Sequence, residues 1–132
     1  MASQEHVLGA PEIAGVVRGA FGVGRHKAQW QATGDLQRAT VQAVFLALLC
    51  IETALPLGGD ITVQNDGDEF QIRGTGPRIG YDPALWGALK QGRAPDALCP
   101  ALVQFALLAL ASAELGRPLA IGTSETHISI TF

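Results

Sequence analysis

The sequence predicts an α/β domain of the α+β kind: a two-layer sandwich in which a mixed, mostly antiparallel sheet of about five strands carries helices on one face. Three observations predict it. Helix-like and strand-like periodicities follow one another in the order α-β-α-β-β-α-α-β-β. The strand-like segments alternate polar and apolar residues, as strands with one wet face do, whereas parallel strands covered on both faces would read as continuous apolar runs. The chain of 132 residues is 48% hydrophobic and 16% charged, which fits a single domain, residues 1–132, with one real core.

The elements can be justified in order. Residues 1–10 are expected to be flexible. Pro11 then opens a first helix to about Phe21, with Ile13, Val16, Val17 and Phe21 at helical spacing and Gly22 and Gly24 closing it. Lys27–Ala32 alternates polar and apolar residues and reads as a strand, broken by Thr33, Gly34 and Asp35. Asp35 is predicted to cap a long second helix from about Leu36 to Ala54, which Pro56, Gly58 and Gly59 end. Its apolar residues wrap most of the circumference, so it should lie deep against the sheet.

Asp60–Gln64 and Glu69–Arg73 read as an antiparallel hairpin around the turn residues Asn65–Asp68. Asp82 and Pro83 start a short helix through Leu85, Trp86 and Leu89, ended by Gln91 and Gly92. A fourth helix runs from about Pro100 to Leu115, with Gly116 as its stop, and Pro118–Ile121 and His127–Phe132 form a second hairpin.

Composition excludes several classes of function. Nine Lys and Arg against twelve Asp and Glu give a net charge of −3, and the basic residues are scattered, so there is no stripe to neutralise phosphates and no nucleic-acid partner is expected. The longest apolar runs, Ala43–Ile51 and Phe105–Ala111, fall far short of the ~20 residues that span a bilayer. The start of the chain lacks the pattern of a secretory leader, and a cytoplasmic location is expected. Cys50 and Cys99 each sit in an apolar helical pattern without a metal ligand at suitable spacing, which reads as buried thiols in a reducing compartment.

One stretch carries a family resemblance. Leu48–Val63, which contains Ala54-Leu-Pro-Leu-Gly-Gly59, together with Gly74-Thr-Gly-Pro-Arg-Ile79, resembles the histidine-kinase ATPase-like (GHKL) fold. It is more closely similar to the degenerate version in the C-terminal domain of bacterial ChpT-type histidine phosphotransferases, from about Pro11 to Phe132. The resemblance implies a phosphorelay part in two-component signalling and points to a degenerate nucleotide pocket formed by Leu46, Cys50, Gly74, Gly76, Pro77 and Arg78.

An active kinase lobe needs an Asn on the long helix to hold the metal; the matching position here is Cys50, with Leu46 one turn earlier, and neither is a ligand for a hard cation. It needs an Asp to accept the adenine amino group, where Gly74 stands, and Arg78 replaces the last Gly of that loop. It also needs a glycine-rich segment before the last helix, and between Gly92 and Gly116 there is no glycine. Charge-assisted hydrogen bonds are worth roughly 1.5–3 kcal/mol each, so losing the adenine and metal contacts removes about 3–6 kcal/mol, or ~10²–10⁴ in affinity.

The resemblance therefore implies a protein-interaction domain without cofactor that supports the docking of response-regulator receiver domains. The alternative is a small-ligand or nucleotide-binding domain that retains a modified kinase-type pocket. The family's phospho-acceptor helical hairpin is not found ahead of Pro11, so the chain alone is not expected to be an enzyme, although the complete family protein would be a phosphotransferase. Without the hairpin, dimerisation is expected to be weak.

The remaining chemistry has plain readings. His6 lies in the expected flexible start, His26 in a turn and His127 at the head of the last strand, at separations that match no metal site. Glu52 lies in an apolar helix and is read as reaching its edge or pairing with a cation. Ser112 and Ser124 lack a nucleophile context. Trp30 and Trp86 are read first as core and second as interface anchors.

Overall fold

Alternating strands need a single apolar layer to bury one face, and the chain builds it from helices. The computed structural model describes residues 7–9, 13, 15, 26–34, 36–93 and 102–132. Among them the elements run β1 (Val7–Leu8), β2 (His26–Trp30), β3 (Leu36–Gln37), α1 (Arg38–Thr53), β4 (Gly59–Asp66), β5 (Glu69–Thr75), α2 (Pro83–Lys90), α3 (Val103–Leu115), β6 (Ala120–Thr123) and β7 (His127–Thr131).

Five strands form one sheet in the order β2-β4-β5-β7-β6. β2 runs parallel to β4, from His26 opposite Gly59 to Trp30 opposite Val63, with α1 as the crossover that a parallel pair requires. The other neighbours are antiparallel. Asp66 pairs with Glu69, and Gly67 at φ 63° supplies the left-handed backbone of the turn between them.

The two faces separate cleanly. Ile61, Val63, Phe70, Ile72, Ile128 and Ile130 are buried, while Asp60, Gln64, Glu69, Gln71 and Arg73 are exposed. On the wet face Gln64 Nε2 donates to Gln31 Oε1 at 3.0 Å, and Gln31 Nε2 donates to Gln29 Oε1 at 3.1 Å. The mixed sheet with helices on one side is the architecture that the strand pattern predicts.

The long helix starts later than expected. Leu36 and Gln37 are extended and pair antiparallel with Leu8 and Val7, so their backbone groups bond to a neighbouring strand and not to a first helical turn. Gln37, at φ −67° and ψ 148°, takes the N-cap position without a side-chain hydrogen bond, which corrects the expectation that Asp35 caps this helix. Asp35 itself lies outside the described residues, as does most of the predicted first helix; Ile13 and Gly15 are helical and Ile13 is buried. α3 starts at Val103 and not at Pro100, and β2 ends at Trp30, although the Gln31 amide still donates to the Val63 carbonyl at 2.8 Å.

The core joins Leu48, Ile51 and Leu55 to the buried isoleucines of the sheet. α2 and α3 are locked by aromatics: the Trp86 ring meets Phe105 edge-on at 5.0 Å, and Tyr81 stacks on Trp86 at 6.1 Å. Trp86 is therefore a core residue, and Trp30 is half-buried with its ring edge-on to Phe45 at 6.3 Å.

Candidate functional site

The residues of the expected pocket fall on two pieces, the long helix and the loop after β5. α1 carries Leu46 and Cys50 one turn apart. Cys50 has no exposed surface, and burial pushes its thiol far above the ordinary value, so it is held as neutral S–H. Leu46 packs half-buried against the core. These two side chains present hydrocarbon and a neutral thiol, which do not hold a hard cation.

Gly74 lies on the buried face of β5 under the last turn of α1. A Cβ added there would stand 2.5 Å from Ile51 Cγ2, closer than real Cβ atoms approach, and a tight 3.2 Å from Leu55 Cδ1. At Gly76 an added Cβ would lie 2.6 Å from the Gly58 carbonyl oxygen and 3.2 Å from Leu55 Cδ2. The Gly76 amide donates to the Thr126 carbonyl at 3.0 Å, and the Gly80 amide donates to the Ala54 carbonyl at 2.8 Å.

The loop is thus clasped between the end of α1 and the β6–β7 turn, and a Cβ at either glycine would force its neighbours to shift. Ile79 packs half-buried against the core, while Pro77 and Arg78 are exposed. Among the described residues no hydrogen bond or ion pair engages the Arg78 side chain. The structure therefore brings Gly74 and Gly76 against residues that follow Cys50 on the chain, and leaves Arg78 to solvent. Residues 94–101, most of the lead-in to the last helix, lie outside the described residues, and Cys99 with them.

A long helix laid on a mixed sheet, with a glycine loop under its C-terminal end, is the frame of a kinase ATP-binding lobe. Residues 10–127 match the histidine phosphotransferase C-terminal domain family. The chain belongs to that family.

Among solved structures, a bacterial phosphotransferase superposes with a TM-score of 0.80 at 22% identity, over 95% of this chain and 63% of that one. The mycobacterial sensor histidine kinase MprB gives 0.59 at 16% identity, over 96% of this chain and 95% of that one. The histidine kinase domain of the Erythrobacter litoralis EL346 blue-light activated kinase gives 0.53 at 17% identity, over 93% and 62%. These likenesses establish a histidine-kinase ATPase-like fold, and the chain spans 63% of the length of the similar phosphotransferase. A search of curated proteins finds no match.

Three features escape the sequence. Ser124 Oγ and His127 Nδ1 lie 2.5 Å apart, but the same oxygen accepts from the amides of Thr126 at 3.3 Å and His127 at 3.2 Å, which makes the pair a turn closure. A cavity of about 660 Å³ opens between the first turn of α1 and the last turn of α3, lined by Arg38, Gln42, Ala111 and Glu114 among others, at the opposite end of α1 from the glycine loop. The outer side of α3 exposes Val103, Leu107 and Leu110. Among the described residues no cluster of His, Cys, Asp or Glu could hold a metal ion, and no helix is long and apolar enough to cross a membrane.

Proposed function

We propose that this phosphotransferase-family domain binds partner proteins and not nucleotide, and that it supports the docking of response-regulator receiver domains. The observation that carries the reading is the packing at Gly74. An ATP-binding lobe needs a carboxylate there, and the Ile51 and Leu55 side chains occupy the space into which any Cβ would project. The buried, neutral Cys50 supports it from the other side, since it supplies no oxygen to a metal.

On this reading the chain on its own is not an enzyme: His127 is engaged by Ser124 in a tight turn and lacks the helical setting of a phospho-acceptor. The alternative of a modified kinase-type pocket draws no support from the cavity beside Arg38, which lies at the far end of α1. A thermal-shift titration with ATP and magnesium tests the proposal. The melting temperature should not move, whereas a saturable rise of the size that mass action gives for a bound ligand would overturn it.

A further inference from the structure

β6 closes one side of the sheet, and among the described residues no strand pairs with its outer side. The phase of its ladder follows from the turn that joins it to β7. The Ser124 amide donates to the His127 carbonyl at 2.8 Å, so Ser124 and, by alternation, Gly122 and Ala120 direct their backbone groups to β7. Ile121 and Thr123 therefore turn their N–H and C=O groups toward the free edge. Gly122 and Thr123 are exposed and Ile121 is half-buried, so this edge is open.

Free edges are commonly blunted by a charge, a proline or a bulge. Ala120–Thr123 carries neither charge nor proline, whereas β2, at the other edge of the sheet, carries Lys27. The flanks of β6 say what fits it. Arg117 precedes the strand and donates to the Asp68 carbonyl, Glu125 follows it exposed, and among the described residues neither is in an ion pair. An antiparallel copy of the same strand reverses these flanks. With a two-fold axis at Ile121, the two copies of that residue exchange both backbone hydrogen bonds, which is the phase the free edge requires. The same axis brings Arg117 of each copy to the level of Glu125 of the other; an axis at Thr123, also in phase, does not. On the wet face this register sets Ala120 beside Gly122, where the small groups leave room, and on the helix side it sets Ile121 against its own copy.

We infer that the free edge of β6 is a pairing site for a second copy of this chain, which adds its own β6 antiparallel across an axis at Ile121 and joins the two sheets into one. The outward hydrogen-bonding groups set the phase, the flanking charges set the register, and no charge within the strand repels the copy. An unrelated peptide strand takes the same backbone hydrogen bonds but not the two flanking charge pairs. A strand of four residues buries far less than the ~800 Å² per partner of a stable interface, so the dimer is weak and forms with rising concentration. The inference is independent of the nucleotide and docking readings above.

The test is a sedimentation-velocity concentration series on the chain, paired with amide NMR spectra at the same concentrations. A dimer should grow with concentration, and the Ile121 and Thr123 amides should shift with it. Thr123→Pro removes a donor that points away from β7, so the variant should keep its circular-dichroism spectrum while association falls about tenfold or more, the axis doubling the loss. Thr123→Lys, which puts a charge on the edge, is the second probe if proline lowers the melt. Glu125→Arg should weaken the dimer severalfold, and Arg117→Glu with Glu125→Arg should restore it. A chain that stays monomeric up to about millimolar concentration, where weak pairs of this size form, would overturn the inference. So would a dimer indifferent to both Thr123 variants, or one abolished instead by L107K/L110K on the outer side of α3. A monomer whose Ile121 and Thr123 amides shift only on titration with an alternating Thr-Val hexapeptide would assign the edge to a peptide strand and overturn the second copy.

Discussion

Gly74→Asp, the change that would restore the missing adenine-binding carboxylate, is predicted to damage the fold without restoring the function. The added Cβ meets Ile51 Cγ2 at 2.5 Å and Leu55 Cδ1 at 3.2 Å, an overpacking that costs about 1–3 kcal/mol and is shared by Gly74→Ala. The carboxyl group adds a buried polar atom without a partner, about 1–3 kcal/mol more. At pH 7 it must also stay protonated: its folded pKa is raised above the unfolded value of about 3.9, at about 1.4 kcal/mol per pH unit, so up to about 4 kcal/mol is added. That last penalty is absent below pH 3.9 and grows as the pH rises.

Against the 5–15 kcal/mol of an ordinary domain, Gly74→Ala should remain folded and Gly74→Asp should be marginal at pH 7. Urea unfolding followed by tryptophan fluorescence measures both, and the stability gap between Gly74→Asp and the unaltered chain should narrow on acidification toward pH 5. Ile51→Ala removes the colliding methyl, so the double variant with Gly74→Ala should cost about 1–2 kcal/mol less than the sum of the two single changes. A Gly74→Asp protein as stable as the original, or one that gains ATP binding, would refute the claim that packing closes this position.

Two further predictions follow from single residues. Asp82 Oδ1 accepts from the amides of Ala84 at 3.0 Å and Leu85 at 3.4 Å, so Asp82→Ala should cost about 0.5–2 kcal/mol, read as a fall in Tm. Cys50 holds its proton in the fold, whereas an unfolded thiol ionises near pH 8.5, so stability should decline above that pH by up to about 1.4 kcal/mol per unit. In a Cys99→Ser background, urea unfolding at pH 7.5 and 9.5 should show that decline, and Cys50→Ala should abolish it.

Much of this fold is legible because its signals are local. The alternation in β4 and β5, the Asn-Asp-Gly-Asp turn, the Asp82 cap and the Gly116 stop at φ 65° each depend on residues a few positions apart. The β1–β3 ribbon is illegible for the opposite reason. Two-residue strands show no period, and their pairing joins Val7 to Gln37 across a long stretch of chain. Leu36 and Gln37 satisfy helix propensity equally well, and tertiary pairing decides against it.

At the site, sequence identifies which groups are missing but not what stands in their place. That a side chain at Gly74 would be strained depends on Ile51 and Leu55, which only the packing of α1 on β5 brings near. Likewise the apolar content of α3 does not say which of its sides is covered, which depends on where α1 and α2 lie.

The glycine loop and the exposed side of the long helix are linked through α1. Ile51 and Leu55 press its C-terminal end onto bare backbone at Gly74 and Gly76, and the Ala54 carbonyl takes the Gly80 amide, so the helix is held at one position on the sheet. Leu49, two residues before Ile51, is carried outward by the same rotation. The side of α1 that bears Leu49 is thereby held in place as well. Packing at the glycine loop therefore fixes the same helix whose other side faces solvent at Leu49.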